Sequence, residues 1–338
     1  MEPRSITVLG DGAMATVCAL LMDGQGQRVT VWGPFEDEVR AIAAAGRNEK
    51  YLPGVVLPRS LHFTADEREA ADGAELVICA IPTQFIRPVC KRFVGCLGDH
   101  VPIASVAKGI ENDTLLTPTQ VITDALGRGG DGGPIAALSG PSIAREMARC
   151  LPVTLCAAGE HTEFIKDLQA LFTTHWLRVY TNPDLLGVEL AGATKNVIAL
   201  AAGILDGLHA GYNAKSALLA RGLSEITRLG TAMGAKAETF FGITGVGDLA
   251  TTCFCPEGRN RTCGELLGKG VKLEAALKQI NGIVEGVATT RSVMQLARKH
   301  EVEMPITAAV HDVLFEGLDP IDAIARLMSR APKRERVG

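Results

Sequence analysis

The residues of this 338-residue chain best suited to chemistry begin with the pair Lys195-Asn196. The pair sits in GVELAGATKNVIALAAGILDGL (187–208), a long apolar stretch of small residues. Wrapped at 3.6 residues per turn, Gly192, Lys195, Asn196, Ala199 and Gly203 share one face, where another group can approach closely. A buried ammonium is costly unless it is paired or used. The stretch is therefore either a core helix whose lysine stem reaches water or the carrier of a catalytic lysine. Four other places offer partners. Lys108 follows an apolar strand-like run and is either a surface charge or a ligand contact. Asp248, in GITGVGDL (242–249), is either a helix cap or the orienting partner of a lysine. Gly258-Arg259-Asn260-Arg261 has paired donors that suit a phosphate, or is a solvated charge cluster. Glu285, in Val284-Glu285-Gly286, accepts hydrogen bonds from a ribose or an amide, or is simply exposed.

The elements that must position them begin with a strand at Ser5–Leu9 and a helical run at Thr16–Met22. Between them lies Gly10-Asp11-Gly12-Ala13-Met14-Ala15, a G-x-G-x-x-A fingerprint in dinucleotide-binding context. Gly10 allows the tight turn, Gly12 lets the backbone approach a pyrophosphate, and Ala15 lets helix and strand pack closely. The helix N-terminus supplies free N–H donors. The second strand, Arg28–Trp32, ends in Gly33-Pro34, with Glu36 only later. No acid stands where an NAD-preferring site places one, and no arginine clamp follows, so the preference between NAD(H) and NADP(H) stays open. Further strands are expected at Ala74–Ile81, Val101–Ser105 and Ile135–Leu138, the last ending in Ser139-Gly140-Pro141-Ser142. That turn is either a ligand loop at a strand end or a turn with a helix cap. Leu151–Ala157 and Trp176–Tyr180, flanking a helix at His161–Phe172, would extend the sheet.

After residue 184 strand signals largely vanish. Helices are expected at Ala214–Met233, Arg261–Leu267, Leu273–Ile280, Ala288–His300, Ile306–Phe315 and Pro320–Met328. The expected fold is an α/β N-terminal Rossmann-type doubly wound sheet plus an all-α C-terminal domain. The expected boundaries are 1–183 for a dinucleotide-binding domain, 184–330 for a helical substrate and catalytic domain, and 331–338 for a loose tail. A net charge of −4 without a long basic run argues against a nucleic-acid partner. The polar interruptions at Glu189, Lys195 and Asn196 argue against an integral membrane segment. Nine cysteines without a C-x-x-C read as reduced thiols in a cytoplasmic protein. Cys253, Cys255 and Cys263 have a spacing that zinc sites rarely use, so no metal is expected.

With these residues assembled, the chain resembles the bacterial NAD(P)-dependent glycerol-3-phosphate dehydrogenases over roughly Ile6–Met328. The resemblance rests on Tyr51-Leu52-Pro53-Gly54, Lys108-Gly109-Ile110-Glu111, Ser139-Gly140-Pro141-Ser142, Lys195-Asn196-Val197-Ile198-Ala199, Gly245-Val246-Gly247-Asp248-Leu249, Arg259-Asn260 and Val284-Glu285-Gly286. It implies reversible reduction of dihydroxyacetone phosphate to sn-glycerol 3-phosphate for phospholipid synthesis, by a cytoplasmic homodimer using NAD(H) or NADP(H). It implies Lys195 as general acid/base with Asp248. It places Lys108, Gly140, Ser142, Asp248, Gly258, Arg259 and Asn260 at the substrate. Gly10, Gly12, Ala13, Met14, Ala15, Pro34, Lys108, Ala144, Arg259, Ile283 and Glu285 would meet the cofactor. The chain departs from the family's pattern where Ala13-Met14 replaces a serine and an aromatic, Ala15 the third glycine, Pro34 a basic residue and Gly258 a serine. Two other readings compete. One is a dehydrogenase of the 6-phosphogluconate or 3-hydroxy-acid type, which also pairs lysine with asparagine on a helix. The other is a dinucleotide sensor that has lost catalysis.

Overall fold

The computed structural model describes residues 2–129, 132–332 and 334, so most of the expected tail at 331–338 lies outside the described residues. The chain forms two compact units. One comprises the residues up to Ala107 together with Pro118–Leu185, and the other Lys108–Thr117 together with the chain from Leu186 onward. The segment 108–117, read from the sequence as part of the first domain, thus packs with the helical unit. Its hydrogen bonds, described below, are the reason.

The first unit is built on eight strands: Ser5–Leu9 (β1), Arg28–Trp32 (β2), His62–Thr64 (β3), Leu76–Cys79 (β4), Ile103–Ser105 (β5), Ile135–Ser139 (β6), Val153–Ala158 (β7) and Leu177–Asn182 (β8). Their order is β3-β2-β1-β4-β5-β6-β7-β8. The strands from β3 to β6 pair in parallel, β7 runs antiparallel to β6, and β8 runs parallel to β7. β4 is buried along its whole length, the mark of a strand covered on both faces. The helices of this unit are Ala13–Gly24 (α1), Glu36–Ala45 (α2), Glu67–Ala71 (α3), Thr83–Arg92 (α4), Pro118–Ala125 (α5), Ala144–Met147 (α6) and Thr162–Phe172 (α7). Leu9 pairs with Trp32 on one side and Cys79 on the other. The carboxyl ends of β1, β2 and β4 are therefore level at the point where the strand order reverses, the place where open α/β sheets bind ligands.

The second unit is helical: Leu185–Gly207 (α8), Gly211–Ala232 (α9), Ala237–Phe240 (α10), a π-helical turn at Ile243–Gly247, Asp248–Phe254 (α11), Arg259–Gly268 (α12), Leu273–Gln279 (α13), Glu285–Lys299 (α14), Pro305–Phe315 (α15) and Pro320–Met328 (α16). α8 is its axis, with every residue from Gly187 to Ile204 buried. By length and composition alone α8 could cross a membrane, but 94% of its apolar window is buried inside the protein, as in a core helix.

The small residues of α8 serve a close helix crossing. A Cβ added at Gly203 would lie 2.7 Å from the Glu265 nitrogen and nearer still to the Arg261 carbonyl oxygen. One added at Gly264 would run into the Leu200 carbonyl oxygen. The backbones of α8 and α12 touch, which seats the start of α12, with Arg259 and Asn260, on the helix that carries Lys195. Gly203→Ala is expected to cost about 3 kcal/mol, because backbone atoms cannot rotate away as side chains do. Urea unfolding of that variant checks this; an unchanged midpoint would mean the two backbones separate freely.

Candidate active site

The helical unit brings three charged groups to one point. Lys195 projects from the middle of α8 and is only 5% exposed. Its Nζ donates to Asp248 Oδ1 at 2.5 Å and to Thr252 Oγ1 at 2.5 Å. Lys108 Nζ donates to the other carboxylate oxygen, Asp248 Oδ2, at 2.8 Å. One buried carboxylate therefore holds two ammoniums and leaves a net positive charge, which suits an anion or a developing oxyanion. The π-helical turn delivers Asp248 to the first position of α11, and Gly247 is the N-cap. Asp248 is therefore inside the helix rather than its cap, and its side chain bonds both lysines. Lys195 does not reach for water, so the snorkelling alternative fails as well.

The electrostatics follow from burial. Burial lowers the Lys195 pKa, the Asp248 charge resists, and the nearby Lys108 charge pushes further down, to about 8. Burial raises the Asp248 pKa, but the two lysines outweigh it and hold the carboxyl below its usual value. Burial thus brings the proton affinity of Lys195 down toward the neutral range that a general acid/base uses.

Lys108 is held by its backbone rather than by its neighbours in sequence. Its carbonyl accepts from Asn196 Nδ2 at 3.2 Å. Ser292 Oγ on α14 lies 3.1 Å from the Ile110 carbonyl oxygen and 2.6 Å from Asn112 Oδ1. Thr117 Oγ1 donates to Glu189 Oε2 on α8 at 2.7 Å. These bonds, with Ile110 in the helical core, assign 108–117 to this unit.

Asn260 Nδ2 donates to Asn196 Oδ1 at 2.9 Å, and Asn260 Oδ1 accepts from Gly286 N at 2.9 Å. Asn260 therefore links α8, α12 and the start of α14, where Glu285 is the first residue. Arg259 opens α12 behind Gly258 and is exposed. Gly282 lies beside it, an added Cβ there falling 3.0 Å from Arg259 Nη1. Ile283 follows, 37% exposed. Arg261 turns away to Asp206 Oδ2 (2.6 Å) and Glu265 (3.1 Å), so it braces α12 against α8.

The sheet unit holds the other predicted residues. Gly10 has φ of 117°, where a side chain would be strained and would meet the Ala80 carbonyl oxygen at 3.0 Å. Space above Gly12 is open: an added Cβ there meets nothing within 4 Å. Gly12 is the N-cap of α1 and offers no side-chain cap bond. Ala13, Met14 and Ala15 form the first turn of that helix, with Ala15 fully buried. An open backbone cradle under a helix N-terminus fits a dinucleotide pyrophosphate. Asn48 braces the cradle, its Nδ2 donating to the Asp11 carbonyl at 2.7 Å and lying 2.8 Å from Thr16 Oγ1. Pro34 follows the end of β2. Gly140, with φ of 131°, and Ser142 follow β6, and Ala144 starts α6. The N-cap of α6 is Ile143, the residue after Ser142.

Sequence reasoning missed Thr252, Asn48, Ser292 and Glu189. Thr252 was within reach of it, because it lies one helical turn after Asp248. The others act across 32 to 182 positions of chain, and no local pattern marks them.

Comparison with known proteins identifies the family. Residues 5–165 match the pattern of the NAD-dependent glycerol-3-phosphate dehydrogenase N-terminus, and residues 184–325 that of its C-terminus. The chain is 45% identical over 331 residues to a glycerol-3-phosphate dehydrogenase (NAD(P)+) of Salinibacter ruber, covering 98% of this chain and 96% of that protein. It is 46% identical over 332 residues to the Bacillus pumilus protein of that name, with the same coverage. The crystal structure of glycerol-3-phosphate dehydrogenase from Coxiella burnetii superposes with a TM-score of 0.93 at 38% identity, covering 97% of this chain and 99% of that one.

Proposed function

Because the chain belongs to the NAD-dependent glycerol-3-phosphate dehydrogenase family, we propose that it interconverts dihydroxyacetone phosphate and sn-glycerol 3-phosphate with NAD(H) or NADP(H). The observation that carries the mechanism is the Lys195–Asp248–Lys108 cluster. When bound, the reduced nicotinamide supplies the hydride. Lys195 stabilises the charge growing on the C2 oxygen and gives it a proton; in the reverse direction it takes the proton back. Asp248 aims the Lys195 ammonium, and Lys108 adds a second positive charge close to the same oxygen. Arg259 holds the phosphate, whose remote binding energy positions C2. Asn260 and the Gly258 backbone support that grip, and Gly140 and Ser142 line the substrate. Gly10, Gly12 and the first turn of α1, with Pro34, Ala144, Ile283 and Glu285, hold the dinucleotide. The sheet unit is thus the dinucleotide-binding domain and the helical unit the catalytic one. Nine free thiols suit a reducing cytoplasm. A homodimer, supported by the alanine- and glycine-rich helical domain, is tested by sedimentation.

The test is the initial rate of dihydroxyacetone phosphate reduction, with NADH and NADPH run at matched concentrations. Turnover supports the reading, whereas folded protein inactive with both cofactors overturns it. The pH profile is a sharper check. Reduction needs protonated Lys195, so kcat should hold at low pH and fall as pH rises through about 8. Oxidation needs the neutral amine and should rise through the same range. A reduction rate flat across that range would remove Lys195 from the proton transfer.

A further inference from the structure

Deepening that reading and resting on it, we infer that Asp11, the residue inside the glycine fingerprint, selects the cofactor: its carboxylate stands at the end of β2, where it favours a ribose 2′-hydroxyl and opposes a 2′-phosphate. NAD-preferring folds carry an acid at the end of this strand to accept from the ribose 2′-hydroxyl. Here the strand ends in Trp32 and is followed by Gly33, which has no side chain. The space beside Gly33 is nevertheless occupied. A Cβ built there would lie 2.6 Å from Val39 Cγ2, 3.1 Å from Asp11 Cβ and 3.2 Å from Asp11 Oδ2. The carboxylate that the strand lacks arrives from the neighbouring turn.

Three further observations support the assignment. The turn is fixed in this position: Gly10 N donates to the Trp32 carbonyl at 2.8 Å, and Asn48 holds the Asp11 carbonyl at 2.7 Å. Asp11 Oδ2 is buried without a hydrogen-bond partner. An acceptor left this way is unfavourable for the fold and calls for a functional explanation. The cations nearby in the chain are already engaged. Arg40 pairs with Glu36, Arg47 with Glu49 at 3.6 Å, and Lys50 with Glu38 at 2.7 Å. None of these guanidinium or ammonium groups stands apart from a carboxylate to clamp a second phosphate, and Asp11 adds a negative charge next to Glu38. A 2′-phosphate carries up to two negative charges into that field.

The first readout needs no turnover. Calorimetry measures the affinity of the protein for AMP and for adenosine 2′,5′-bisphosphate, which differ only by the 2′-phosphate, and kcat/KM for NADH and NADPH is measured beside it. The wild type should favour AMP, and NADH, by on the order of tenfold or more. Asp11→Asn, which keeps the shape and removes the charge, should narrow both ratios by on the order of tenfold. Asp11→Ser repeats the test with a smaller side chain. A wild type that binds the bisphosphate as tightly as AMP overturns the inference without any variant. So does a folded Asp11→Asn or Asp11→Ser protein whose ratios stay within about twofold of wild type. Loss of turnover on dihydroxyacetone phosphate in the wild type, with nucleotide selectivity intact, would instead remove the proposed reaction and leave the role of Asp11 standing.

Discussion

Lys195→Met is expected to lower kcat for dihydroxyacetone phosphate reduction by on the order of a thousandfold, about 4 kcal/mol of transition-state stabilisation. Methionine fills the lysine channel in the core of α8 without a charge, so the loss is chemical rather than structural. Asp248 keeps its second ammonium, Lys108, at 2.8 Å, and no carboxylate is stranded. KM should change far less than kcat, because the phosphate grip assigned to Arg259 remains. The change should also erase the inflection near pH 8. Steady-state kinetics with a parallel thermal melt separates the two contributions. A folded Lys195→Met enzyme with near-wild-type kcat would end the acid/base assignment.

Asp248→Ala should damage both stability and rate. The substitution leaves two largely buried ammoniums facing each other, since Lys195 and Lys108 both bond to this carboxylate. Removing one member of such a cluster strands uncompensated charge and costs about 3–5 kcal/mol. The attraction that now resists burial is lost, so the Lys195 pKa should fall further below about 8, and the reduction profile should move to lower pH with it. Asp248→Asn retains hydrogen-bonding atoms and volume. It should lose less stability than Asp248→Ala while showing the same direction of pH shift. Denaturant midpoints and paired pH–rate profiles read these effects. If neither variant shifts the profile, Asp248 does not set the lysine's proton affinity.

Local patterns in the sequence determined much of this protein. The alternation of apolar strands and helical runs, with glycines at positions 10 and 12, defined a doubly wound sheet, because strand burial and tight-turn geometry are short-range properties. β7 and β8 extended the sheet as expected, although the antiparallel step at β6 needs the paired register to be seen. β3, three residues long, carries too little pattern to read. The small-residue face of α8 announced a close approach but not what approaches; the crossing with α12 decided that. The motif spellings pointed to the family, and with it to Lys195, Asp248 and Lys108 as a set. Whether Asp248 caps a helix or holds two lysines was a question of side-chain direction, and only the folded chain, with the π-helical turn before α11, answered it. The placement of 108–117 with the helical unit depended on Asn196, Ser292 and Glu189, residues far from it in sequence. The carboxylate of Asp11 at the end of β2 depended on strand register. Periodicity and turn chemistry are written along the chain, whereas hydrogen bonds and charge contacts between distant segments exist only once packing has set their distances and excluded water from around them.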